Sequence, residues 1–171
     1  MHQPKRMAVL VGGSDLFSGM RGVSKGTQIL QKAIAPLFDH LLIINYNYFL
    51  DFGSALKKAR KSIDLVNPDE LLLYGYSKGG DVVLQLSRQY HPVRKIKLLI
   101  TVDVANGPWS HRINRSLPAN VNRNINVYQS TPNFPLRSYG MAALSNHHTS
   151  IQNINLTGKV INDRLVNHSN I

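Results

Sequence analysis

Apolar residues fall along this chain in short continuous runs, and most runs are followed by a stretch of helical spacing. Met7, Ala8, Val9, Leu10 and Val11 make the first run, which predicts a strand buried on both faces. Gly12, Gly13, Ser14 and Asp15 then read as the loop at its carboxyl end. Over residues 22–38, Ile29, Leu30, Ala33, Ile34, Leu37 and Phe38 recur with helical period, and Pro36 should disturb or end that helix. Residues 40–45 predict a second strand, with Tyr46, Tyr48, Phe49 and Phe52 crowding the loop after it. Ala55, Leu56, Ala59, Ile63 and Val66 mark an amphipathic helix closed by Asn67 and Pro68. A third strand is expected over residues 70–74, a helix carrying Val82, Val83 and Leu86 behind it, a fourth strand over 96–102 and a fifth over 124–129. Beyond Ser130 the pattern weakens: residues 131–149 read as loop and 151–156 as a short strand.

Strand and helix alternating in this way call for right-handed crossovers and a mainly parallel sheet. The expectation is one α/β domain over residues 1–171, three layers deep, with about five to six strands. The first strand should lie between the second and third, in the order 2-1-3-4-5.

Within that pattern one stretch stands apart. The apolar run Leu71, Leu72, Leu73, Tyr74 ends in Gly75-Tyr76-Ser77-Lys78-Gly79-Gly80, and helical spacing begins at once. A strand that turns so sharply into a helix forces the apex residue into a strained conformation. A Cβ at position 75 or 79 would collide with the crossing strand and helix, which is why glycine suits both. The apex hydroxyl of Ser77 would be exposed, with the positive end of the helix beside it.

Gly75-Tyr76-Ser77-Lys78-Gly79-Gly80 resembles the nucleophile elbow of the α/β-hydrolase superfamily, especially its small lipase-like and esterase-like members. The likeness extends over most of the chain as an order of elements. It implies a serine hydrolase that cleaves a carboxylic ester, a lipid or other acyl ester among them, through an acyl-enzyme and without a cofactor. In that family the serine is followed by an acid and then a histidine. Asp103 closes the fourth strand and so stands at the same sheet edge as Ser77, in the acid position. Three histidines follow it at a suitable distance: His147, His148 and His168. The setting of His168, after Leu165, Val166 and Asn167 and before Ser169, is similar to the late histidine loop of lipase-like members, so His168 is preferred. An oxyanion hole would draw on the backbone N–H of Lys78 and on Gly13 or Ser14 after the first strand. Gly12, Tyr76 and Trp109 are candidates for lining the substrate site.

Composition changes this picture in two ways. There are no cysteines, which excludes a thiol nucleophile, a disulfide framework and thiolate metal sites. Lys and Arg outnumber Asp and Glu by 20 to 9, a formal charge of +11, which favours an anionic surface or substrate. A second reading follows: a catalytically inactive module on the same scaffold, its basic surface turned to anionic lipid or nucleic acid. No nucleic-acid motif accompanies the charge. No apolar run approaches the roughly 20 residues of a membrane span, no signal peptide is evident, and the expected location is cytoplasmic. The glycines after the first strand lack the spacing of a dinucleotide-binding loop, and no metal-binding motif is found.

Overall fold

The computed structural model describes residues 3–13, 25–45, 52–132, 138–168 and 171. Six strands, β1 (Arg6–Val11), β2 (His40–Ile44), β3 (Glu70–Tyr76), β4 (Leu98–Val102), β5 (Arg123–Tyr128) and β6 (Ser150–Asn155), pair in parallel in the order β2-β1-β3-β4-β5-β6. The expected order is therefore present, with the short run near residue 151 adding a sixth, edge strand to the same sheet. Helices α1 (Lys25–Ile34), α2 (Phe52–Val66) and α3 (Lys78–Gln89) occupy the first three crossovers. A small antiparallel pair, β7 (Val160–Ile161) and β8 (Arg164–Leu165), follows the sheet. Two-residue strands leave no periodicity to detect, and the pattern of residues did not foretell them.

The continuous apolar runs have a simple cause. In β1, Met7, Val9 and Val11 face α2 and α3 and pack in one cluster with Ala55, Ala59, Ile63, Val82, Val83 and Leu86. Ala8 and Leu10 face the other way, joining Leu72, Tyr74 and the inner face of α1 at Leu30 and Ile34. Both faces of the central strands are thus covered, so both sets of alternating side chains are apolar. Helix α1 stops at Ile34, and Pro36 sits in the single 3-10 turn that follows, Ala35–Leu37. Proline supplies no N–H for the next helical bond, which explains the change of winding. Among the described residues no helix is long and apolar enough to cross a membrane.

From β1 the chain moves to β2 on one side, and later to β3 on the other. This reversal opens a crevice between the carboxyl ends of β1 and β3, where the flanking loops diverge. Val11, Gly12 and Gly13 leave one wall of it and Ser77 leaves the other.

Candidate active site

β3 ends at Tyr76 and α3 begins at Lys78, so Ser77 alone makes the turn. Its backbone lies at φ 54° and ψ −123°, a region an L-residue rarely adopts. Such strain costs about 1–3 kcal/mol and persists only where the surroundings enforce it. Here the Ser77 N–H donates to the Val102 carbonyl at 3.0 Å, and the Ser77 carbonyl accepts from Gly80 N at 3.0 Å. The neighbouring glycines are sterically required. A Cβ on Gly75 would stand 2.4 Å from the Gly79 carbonyl oxygen, and one on Gly79 would stand 2.2 Å from the Val11 carbonyl oxygen. A Cβ on Gly13 would meet the Ser77 Cβ at 2.7 Å, so the loop after β1 lies directly against the serine.

Ser77 Oγ is 2.8 Å from His168 Nε2, and His168 Nδ1 is 2.6 Å from Asp103 Oδ2. A carboxylate only accepts, so Nδ1 carries the imidazole proton and Nε2 is left to accept from the serine hydroxyl. Asp103 is fully buried, while Ser77 and His168 keep 5% and 8% of their surface exposed. The acid is therefore sealed from water and the two outer groups reach the crevice. Asp103 itself adopts φ 42°, directing its side chain back across the strand ends.

The remaining acceptor capacity of Asp103 is met by Gln129. The Gln129 backbone N–H donates to Oδ1 at 3.1 Å, and Nε2 donates to Oδ2 at 3.0 Å. Its own Oε1 accepts from Thr131 N at 2.8 Å, which holds the amide in that orientation. Gly140 lies across the carboxylate so closely that a Cβ there would stand 2.2 Å from Asp103 Oδ1. Gln129 was not anticipated. Its signal is positional: it follows β5 as Asp103 follows β4, on adjacent strands of a parallel sheet. Gln129→Ala is expected to slow reaction at Ser77 by about tenfold to a hundredfold, the range typical of groups that orient a reactive side chain through a neighbour. The check is the rate of labelling by a fluorophosphonate, measured beside the melting temperature.

His168 is delivered from 65 residues beyond Asp103. The β7–β8 pair turns the chain back, Val166 N–H donates to the Lys159 carbonyl at 2.8 Å, and the buried Val166 side chain anchors the next residues. Tyr76 then holds the histidine from behind. Its ring stacks on the imidazole with centroids 5.6 Å apart and planes inclined by 20°, and its hydroxyl donates to the His168 carbonyl. Tyr76 thus braces one face of the imidazole, while the serine meets its Nε2 edge.

The other anticipated residues fall as follows. Lys78 is the first residue of α3, where a helix has no carbonyl one turn back to receive its N–H. Gly13 adjoins Ser77 on the opposite wall, and Ser14 lies outside the described residues, as do Tyr46, Tyr48 and Phe49. The Gly12 N–H is committed to the Ile44 carbonyl at 3.0 Å and is not a free donor. His147 and His148 are exposed on the loop before β6 and take no part in the Ser77 chain of bonds. Trp109 is half exposed and borders a separate cleft alongside α3. Among the described residues no group of three or more His, Asp or Glu side chains could hold a metal ion. No protein-family model matches the chain, and no curated protein shows significant similarity to it.

Proposed function

We propose that this chain is a serine hydrolase of the α/β-hydrolase type, acting on a carboxylic ester. The observation that carries the reading is the unbroken chain from Ser77 Oγ through both nitrogens of His168 to a buried Asp103, set on a strained turn. A serine hydroxyl is a weak nucleophile until a base accepts its proton, and the base must be held in one tautomer by a third group. In the proposed reaction Ser77 Oγ attacks the substrate carbonyl carbon while His168 Nε2 takes the hydroxyl proton. The tetrahedral oxyanion is met by backbone N–H groups, those of Lys78 and Gly13 on the two walls of the crevice. As the intermediate collapses, the alkoxide leaves with the proton from His168, and an acyl group remains on Ser77. A water molecule, deprotonated by His168, then attacks the acyl carbon, and the acid departs as Ser77 recovers its proton. Asp103 stabilises the imidazolium at each stage. Side chains and backbone amides suffice for every step.

The test is covalent. A fluorophosphonate carrying a reporter should label the protein stoichiometrically, and digestion should place the phosphonate on the peptide containing Ser77. Absence of labelling by folded protein would overturn the reading.

A further inference from the structure

A cleft of about 610 Å³ runs along the outer side of α3, beneath residues 106–114. Its volume falls in the range of small-molecule sites. Asp81, Gln85 and Gln89 enter it from α3 at four-residue intervals, which puts them on one helix face, and Asn106, Asn114 and Trp109 enter from the opposing loop. The indole of Trp109, 54% exposed, is the large apolar surface of this wall.

The loop that presents the indole is held rigidly. Trp109 N–H donates to the Asn106 carbonyl at 3.1 Å, and Ser110 Oγ accepts from Asn106 N at 2.9 Å. Buried Arg115 donates to the carbonyls of Val104, Ser110 and Ile113 from beneath. Arg88 ties the loop to α3 through the carbonyls of Asn114 and Ser116, at 2.6 and 3.1 Å. The cleft is therefore built before any ligand enters, which lowers the cost of binding.

Its chemistry selects among ligands. Gln89 and Asn106 offer donors and an acceptor, Gln85 shares one hydrogen bond with Asp81, and Asn114 offers its NH2 while its Oδ1 accepts from Ser116 N at 2.9 Å. Such a set matches hydroxyl groups that both give and take hydrogen bonds. The flat indole suits the C–H face of a saturated ring. Charge in the wall is mixed: Arg88, whose Nη2 donates to two carbonyl oxygens, and Arg112 stand with the Asp81 carboxyl, so an anionic ligand is the alternative that the test below must separate. We propose that this cleft is a saccharide-binding site, taking a neutral pyranose ring with one face on Trp109 and its hydroxyls on Asp81, Gln85 and the loop amides. Its inner end is close to the crevice: Asp81 lies one helical turn beyond Ser77, and the Ala105 N–H, next to Asn106, donates to the Ser77 carbonyl at 3.4 Å.

Trp109 is the chain's single tryptophan, so its emission reports on this cleft alone. The full-length protein would be titrated with the methyl glycosides of glucose, galactose, mannose and N-acetylglucosamine. None contains an ester, so the signal is independent of whether Ser77 reacts, and failure here leaves the hydrolase reading intact. A saturable change with at least one glycoside is expected, with half-saturation in the millimolar range usual for a few neutral hydrogen bonds. The Asp81→Asn, Gln85→Ala double variant should weaken it by about tenfold or more. Burial holds the Asp81 carboxyl above the ordinary carboxylate range, against the hydrogen bond from Gln85 and the charges of Arg88 and Arg115, so the ionised form disfavours the fold above the unfolded pKa. Asparagine removes the charge, and the variant should melt no lower than the parent at pH 7, the difference vanishing below the unfolded pKa. Three outcomes would overturn the proposal: no saturable response to any glycoside up to its solubility, a response equal in parent and double variant, or a response to adenosine monophosphate alone.

Discussion

Ser77→Ala is expected to lower ester turnover by about ten-thousandfold or more, with His168→Ala falling as far and the double variant little further. Members of a Ser-His-Asp set act as one unit, so removing a second after the first costs almost nothing. The geometry makes the equivalence specific. His168 Nε2 lies 2.8 Å from Ser77 Oγ, whereas His147 and His148 are exposed elsewhere, and among the described residues no other histidine bonds Ser77. Asp103→Asn should also be severe. An amide can donate to His168 Nδ1, which favours the tautomer with its proton on Nε2 and leaves the serine no acceptor. It would also set an NH2 group against one of the two Gln129 donors, N–H or Nε2, so this variant should lose some stability as well. Ser77→Ala should not, because alanine meets the same backbone strain and removes only an oxygen. Turnover of a p-nitrophenyl ester and thermal melting, measured on the same preparations, check these outcomes. Near-normal turnover by His168→Ala would remove the basis for the mechanism.

What could be read from the chain beforehand followed from how local the cause was. The strands and their order came from apolar runs and turn residues, whose effects act over a few positions. The constraints on Gly75 and Gly79 came from one sharp turn. Asp103 was legible because its place depends only on where a strand ends. Gln129 was not, since its contact with Asp103 spans 26 residues and depends on which strand lies next to β4. Tyr76 was expected to line the substrate site; its bracing of His168 across 92 residues of chain was not legible. Trp109 was expected there too, but residues 106–114 fold over α3 and carry the indole to a different cleft. β6 was hardest among the sheet strands. As an edge strand it keeps only Ile151 and Ile154 as apolar residues, and that spacing is not the alternation of a half-buried strand.

The fit of the glycines makes a second large effect predictable. Gly79→Ala is expected to lower both stability and turnover, although it adds one methyl group. Its Cβ would stand 2.2 Å from the Val11 carbonyl oxygen and 2.5 Å from that of Gly12, both backbone atoms that no rotamer change can move. Either α3 must withdraw from the end of β1, or the β1 loop must give way. Overpacking of this kind costs typically about 1–3 kcal/mol, which in a domain of this size lowers the melting temperature by roughly 2–12 °C. The chemical penalty is separate. Lys78 N and Gly13 N lie on the two sides that would be forced apart, and misplacing catalytic groups by about 1 Å can cost a hundredfold in rate. Gly26→Ala is the control. Gly26 lies in the first turn of α1 with no atom of the described residues within 4 Å of the added Cβ, so the same methyl should be neutral or stabilising by up to about 1 kcal/mol. If Gly79→Ala matched Gly26→Ala in both melting temperature and turnover, the elbow would not be the tightly closed turn on which the oxyanion donors depend.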